Sequence, residues 1–202
     1  MKLSHIGGIM IALCSFLISS MLFAADIEAG KAKSAVCASC HGVDGNSANG
    51  IWPKLAGQHA IYLIKQMREF KNGVREDAVM QAMVANLDDT DMADIAAYFE
   101  AQKIKVGAFD EQMVAKGEAI YRGGIAATSV PACIACHSPT GMGNGPAAFP
   151  ALKNQHPEYV VAQLKKFKDG SRSNDPGKMM RNVSARLLDS EMAAVAAYIA
   201  GL

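Results

Sequence analysis

Two stretches of the chain place their apolar residues on one helical face. Met92, Ile95, Ala96 and Phe99 follow the i, i+3, i+4, i+7 spacing, which predicts a helix starting at Asp88 or Asp89 with that face buried. Met192, Val195, Ala196 and Ile199 repeat the same face near the C-terminus. A second helix is expected from about Ala60 to Asn72, where Gly73 is placed to end it. An earlier one is expected from Ile27 to about Ala38. The stretch carrying Gly42, Gly45, Asn46 and Gly50 reads as a loop. No run alternates apolar and polar residues as a strand would, and the Ala- and Met-rich composition favours helices. The expected fold class is all-α.

The pattern is duplicated. Leu55-Ala56-Gly57-Gln58-His59 recurs as Leu152-Lys153-Asn154-Gln155-His156, 97 residues later. Tyr62 to Gly73 recurs from Tyr159 to Gly170 at the same offset. Ile95-Ala96-Ala97-Tyr98-Phe99 recurs as Val195-Ala196-Ala197-Tyr198-Ile199 at an offset of 100. The growing offset puts small insertions in the second copy, chiefly in the loop-like 171–178 stretch. We expect two tandem helical domains, 26–103 and 112–202, joined by a linker at 104–111. Each is small enough that its core needs extra support.

The first 25 residues differ from the rest. Lys2 is followed by an apolar stretch from Ile6 to Phe23 and by Ala24-Ala25, the pattern of an exported leader cleaved after Ala24 or Ala25. Residues 1–25 are therefore expected to be a signal peptide and the mature protein periplasmic. Retention as a membrane anchor is the other reading, since about 20 apolar residues span a bilayer. Cys14 falls in this segment.

The other four cysteines carry the chemistry. Cys37-Ala38-Ser39-Cys40-His41 and Cys133-Ile134-Ala135-Cys136-His137 are both C-x-x-C-H, the attachment signature of c-type haem. Two thiols three residues apart can each add to one vinyl group of a porphyrin, and the adjacent histidine then lies under the iron as its proximal ligand. A zinc site would want its cysteine pairs close together, but these are 96 residues apart, each with its own histidine. A thioredoxin-type pair would want a βαβ context that is not present. Two covalently bound haem c groups are expected, through Cys37, Cys40, Cys133 and Cys136, with His41 and His137 on the iron.

A sixth iron ligand must be chosen among several candidates. Met80 and Met180 lie just before the last helix of each copy, and each is followed by six residues and then a leucine, Leu87 or Leu187. Met83 and Met179 compete but lack a counterpart in the other copy. Met67, Met92 and Met192 fall at helical packing positions. His59 and His156 both recur and are rival ligands, but each lies only 18 or 19 residues after its proximal histidine, at a helix start, where the structural reading is favoured.

These features together resemble the cytochrome c4 family, dihaem periplasmic electron carriers built from two class I cytochrome c domains. The resemblance rests on both C-x-x-C-H motifs, the Pro53-Lys54-Leu55-Ala56-Gly57-Gln58 segment, the two Met-x6-Leu segments and the helix Asp94 to Phe99, and it covers the whole mature chain. It implies two domains packed as a pseudo-twofold pair, with His41–Met80 and His137–Met180 as axial ligands. It also implies electron carriage, not catalysis, between a cytochrome bc complex and a terminal haem–copper oxidase. One departure is visible: the second copy has Asn154 where the first has Gly57. The alternative function is a dedicated cytochrome subunit of a periplasmic oxidoreductase, such as a sulfide-oxidising flavoenzyme, or a dihaem peroxidase. A peroxidase needs an open iron position, which two methionine-capped haems would not leave.

Charge adds a polarity. Residues 26–103 hold eight Lys and Arg against eleven Asp and Glu, and residues 104–202 hold eleven against eight, a net of −3 and of +3. Oxidation adds positive charge to a haem, so the acidic half is expected to hold the lower potential. The cluster Lys165, Lys166, Lys168, Arg172 is expected to offer docking to an acidic partner protein. No basic run suggests nucleic acid, and association at the membrane periphery stays open.

Overall fold

The computed structural model describes residues 25–202, so the expected leader, apart from Ala25, lies outside the described residues. The first half contains α1 (Ile27–Lys33), α2 (Ala38–His41), α3 (Ala60–Lys71), α4 (Ala78–Val84) and α5 (Asp89–Glu100). The second contains α6 (Glu111–Gly123), α7 (Ile134–His137), α8 (Pro157–Asp169), α9 (Met179–Ser184) and α10 (Asp189–Gly201). Among the described residues there is no strand, only the isolated bridges Ile125–Val130 and Asn144–Phe149.

Each half is organised around its last helix. In the first, α5 packs against α1 and α3; in the second, α10 packs against α6 and α8. The faces expected from periodicity are buried, with Met92, Ile95, Ala96 and Phe99 at 0–2% exposure. The crossing helices meet at glycines. A Cβ on Gly30 would stand 2.0 Å from the Asp94 carbonyl oxygen, and one on Gly117 would stand 2.0 Å from that of Ala194. The backbones are therefore closer than any side chain allows.

The first helix is shorter than expected. It ends as α-helix at Lys33 and continues as a 3-10 turn through Ser34–Cys37 before α2. In the second half α6 stops at Gly123, and residues 124–132 intervene before Cys133. The repeat therefore also carries an insertion ahead of its second motif, besides the one in the 171–178 stretch. Asp88 and Asp91 form a reciprocal capping box at the start of α5. At the matching place Leu188 has no side-chain acceptor, and only Glu191 reaches back to its N–H at 2.8 Å.

Asn154 does the work of Gly57. Both take a left-handed backbone, at φ +56° and +67°. Both donate their N–H to the last helix, to Ile199 O at 2.9 Å and Phe99 O at 2.8 Å. Asparagine tolerates this region better than most residues. With its amide nitrogen turned toward the chain end, its side chain donates to Leu202 O at 2.7 Å.

Candidate functional site

Each C-x-x-C-H motif forms one tight helical turn. Cys37 and Cys133 precede the short helices α2 and α7, which end at His41 and His137. The following residues, Gly42 (φ +79°) and Ser138 (φ +67°), turn the chain sharply away. The four motif cysteines form no disulfide with one another. Burial pushes the Cys133 thiol up to about 11, and burial with the neighbouring Cys40 raises that of Cys37.

The two histidines are buried and alike in their bonding. His41 Nδ1 lies 2.8 Å from Pro53 O, and His137 Nδ1 lies 2.9 Å from Pro150 O. A carbonyl only accepts, so Nδ1 carries the proton in both rings. Burial, opposed by these bonds, holds both imidazoles below the ordinary histidine range, in the neutral form. The lone pair therefore resides on Nε2, the atom a metal would take, and the carbonyl behind the ring fixes its orientation. Two thiols and a neutral, oriented imidazole on one turn fit a c-type haem in donor type and spacing.

Met80 and Met180 fall in the short helices α4 and α9, where the apolar pattern predicts no element. Both are half-buried, whereas their rivals Met83 and Met179 are exposed. Met180 packs against the second core together with Val183 and Cys133. The rival histidines are committed elsewhere. His59 Nε2 donates to Met142 O at 2.7 Å, and His156 Nε2 donates to Ser47 O at 2.9 Å. Each bridges to the other half of the chain.

Those bridges belong to a seam with twofold reciprocity. The Gln58 amide bonds both the N–H and the C=O of Ala151, at 2.9 Å each. Gln155 does the same to Lys54, at 2.8 and 2.9 Å. Gln58 and Gln155 are 97 apart, as are their partners Lys54 and Ala151, so the two pairings are equivalent under the repeat, as an isologous contact requires. Below them α3 and α8 face each other with Tyr62, Gln66, Tyr159 and Gln163, joined by Arg75 and Arg172. The expected docking role of Arg172 is corrected here: the residue is 6% exposed and holds the seam. Lys165 pairs with Asp189 at 2.8 Å and Lys168 donates to Leu187 O at 2.6 Å, so the cluster is not a free basic patch. Among the described residues neither Arg75 nor Arg172 forms an ion pair with a carboxylate; tyrosine hydroxyls and glutamine amides are their partners across the seam. Sequence reasoning missed this seam, although the offset of 97 shared by Tyr62 and Tyr159, Gln66 and Gln163, and Arg75 and Arg172 was the available signal.

Comparison with known proteins agrees with the geometry. The cytochrome c family model matches twice, over residues 27–103 and 114–202. The chain is 50% identical to cytochrome c4 of Pseudomonas aeruginosa over 180 residues, covering 89% of this chain and 90% of that one. It is similar to the crystal structure of reduced recombinant cytochrome c4 from Pseudomonas stutzeri, with a TM-score of 0.86 and 44% identity over 89% of this chain and all of the other. A thiosulfate dehydrogenase electron acceptor of Stutzerimonas stutzeri is 39% identical over 82% of this chain and 78% of its own.

Proposed function

The chain belongs to the cytochrome c4 family, and on that premise we propose that it is a periplasmic shuttle taking electrons from a cytochrome bc complex to a terminal haem–copper oxidase. It is a dihaem electron-transfer protein carrying two covalent haem c groups, one in each cytochrome c domain. Each haem, when bound, supplies a one-electron ferric/ferrous couple. In this reading Cys37 and Cys40 hold haem 1, with His41 and Met80 on its iron. Cys133 and Cys136 hold haem 2, with His137 and Met180. Domain 1 spans 26–103 and domain 2 spans 112–202, with 104–111 between them, and residues 1–25 are removed on export.

One observation carries the reading: each motif sets two cysteines on one helical turn with a buried histidine whose Nδ1 is committed to a carbonyl. A soft thioether opposite that imidazole favours ferrous iron, as a carrier requires. The half-burial of Met80 and Met180 supports them as the thioethers. With both positions filled there is no iron site for substrate, which supports a carrier and not a peroxidase. Haem 1, in the acidic half, holds the lower potential.

A sulfur-oxidising dehydrogenase as electron donor is the second reading, favoured by the relative named a thiosulfate dehydrogenase electron acceptor. Stopped-flow mixing separates the two. The oxidised holoprotein is mixed with a bc complex plus quinol, or with a thiosulfate dehydrogenase plus thiosulfate. Faster reduction in the first arm supports the respiratory shuttle, and faster reduction in the second replaces it.

A further inference from the structure

The carbonyl that orients each proximal histidine belongs to a peptide group held by the other domain. Pro53 C=O and Lys54 N–H are the two ends of one planar amide. Its oxygen accepts from His41 Nδ1 at 2.8 Å, and its N–H donates to Gln155 Oε1 at 2.8 Å. The mirrored unit is Pro150 C=O and Ala151 N–H. Its oxygen accepts from His137 Nδ1 at 2.9 Å, and its N–H donates to Gln58 Oε1 at 2.9 Å. Each three-member chain thus begins in one domain and ends on the iron-ligating ring of the other.

Bonds in such a chain polarise one another. By accepting from the N–H, the glutamine oxygen shifts density from the amide nitrogen onto the carbonyl oxygen, which becomes a stronger acceptor. A stronger acceptor at Nδ1 gives the imidazole more anionic character, and this stabilises ferric iron and lowers the potential. Gln58 and Gln155 are well placed for this role. Gln155 is 6% exposed and Gln58 7%, so water does not compete for their amides. Each amide nitrogen also donates to the next carbonyl, Ala151 O or Lys54 O, at 2.9 Å, which fixes the amide plane.

We propose that Gln155 and Gln58 are positioning residues acting across the domain interface, Gln155 lowering the potential of haem 1 and Gln58 that of haem 2. Each domain thereby reports its seating to the haem of its neighbour, and separating the domains raises both potentials. The inference rests on iron ligation by His41 and His137.

The test uses the holoprotein with Gln155→Leu and Gln58→Leu. Two quantities are read: the potential of each haem, and the NMR shift of each proximal Nδ1 proton in the ferrous form. Gln155→Leu raises the potential of haem 1 and moves the His41 proton upfield, with haem 2 and His137 unchanged. Gln58→Leu does the reverse. A general loosening of the interface would move both haems together in either variant, and that result overturns the proposal, as does a shift confined to the substituted domain or no shift at all. Should a leucine variant fail to assemble, Gln155→Asn serves in its place. One methylene shorter and of the same charge, its amide falls short of Lys54 N–H, so haem 1 rises in potential; an unchanged or lowered potential overturns the proposal. Failure of the underlying ligation is distinguishable, because the wild-type protein itself would then lack two low-spin haems.

Discussion

Arg172 in the second domain donates from Nη2 to the Tyr62 hydroxyl in the first, at 2.9 Å, and Arg75 returns the contact to Tyr159 at 3.1 Å. Arg172 also donates to Asn174 Oδ1 and Gln163 Oε1, at 2.9 and 2.8 Å. Burial works against the Arg172 charge, but Tyr62, Tyr159 and Glu69 around it hold its pKa up. Hydrogen bonds to a charged group contribute about 1.5–3 kcal/mol each when one partner is removed. Arg172→Ala is therefore expected to lower stability by about 2–3 kcal/mol. Guanidinium titration followed at the haem absorbance checks this, and the single transition of the wild type should split as the domains uncouple. An unchanged midpoint would mean that the buried guanidinium contributes nothing net.

Gly30 and Gly117 set the closest backbone approaches in each domain, both against the last helix. Alanine at either position must push α1 from α5, or α6 from α10. Overpacking of this kind costs about 1–3 kcal/mol. Thermal unfolding should show Gly30→Ala and Gly117→Ala destabilised by that amount. Gly123→Ala, where an added Cβ meets nothing within 4 Å, should be close to neutral.

Lys33 ties the ends of the first domain together. Its Nζ lies 2.8 Å from Asp91 Oδ1 and 2.9 Å from Asp94 Oδ2. The hydrogen bond from Lys33 is the main cause holding both carboxyls below the usual range. A carboxyl with a depressed folded pKa contributes its stability above the unfolded value, near 3.9, and loses it as pH falls through the folded value. Lys33→Met should therefore be less stable than wild type at pH 6, with the gap narrowing toward pH 3. Urea unfolding at the two pH values measures it. A gap of constant size would remove the two aspartates from the account.

Met80→Ala and Met180→Ala should each convert one haem to a high-spin or ligand-binding form and leave the other unchanged. The thioether charge-transfer band of the ferric protein should fall by about half in each, as expected for one thioether ligand per haem. If His59→Ala or His156→Ala produces that loss instead, the methionine assignment fails.

What the sequence disclosed and what it concealed divide along physical lines. Covalent attachment demands fixed spacing, so the two C-x-x-C-H motifs, at Cys37 to His41 and Cys133 to His137, were legible directly. The buried faces of α5 and α10 were legible because helical packing imposes a period. Gly57 and Asn154 look different as letters, yet both reach a left-handed backbone, so the missing glycine leaves the second loop unchanged. The seam was concealed because its residues are polar. Gln58, Gln155 and Arg172 are the kinds of residue that normally face water, and only tertiary contact buries them. Arg172 accordingly read as part of a surface cluster. The helices α4 and α9 were concealed for a different reason: at 7 and 6 residues they are too short to show a period.

The central claim is that this chain holds two one-electron sites of the same type, one in each domain. Potentiometric titration of the purified holoprotein, followed at the haem absorbance, tests it most directly. The account predicts two one-electron steps of equal amplitude, both between low-spin forms, with the lower potential on haem 1. A single step worth one haem, or a step ending in a high-spin form, would contradict it.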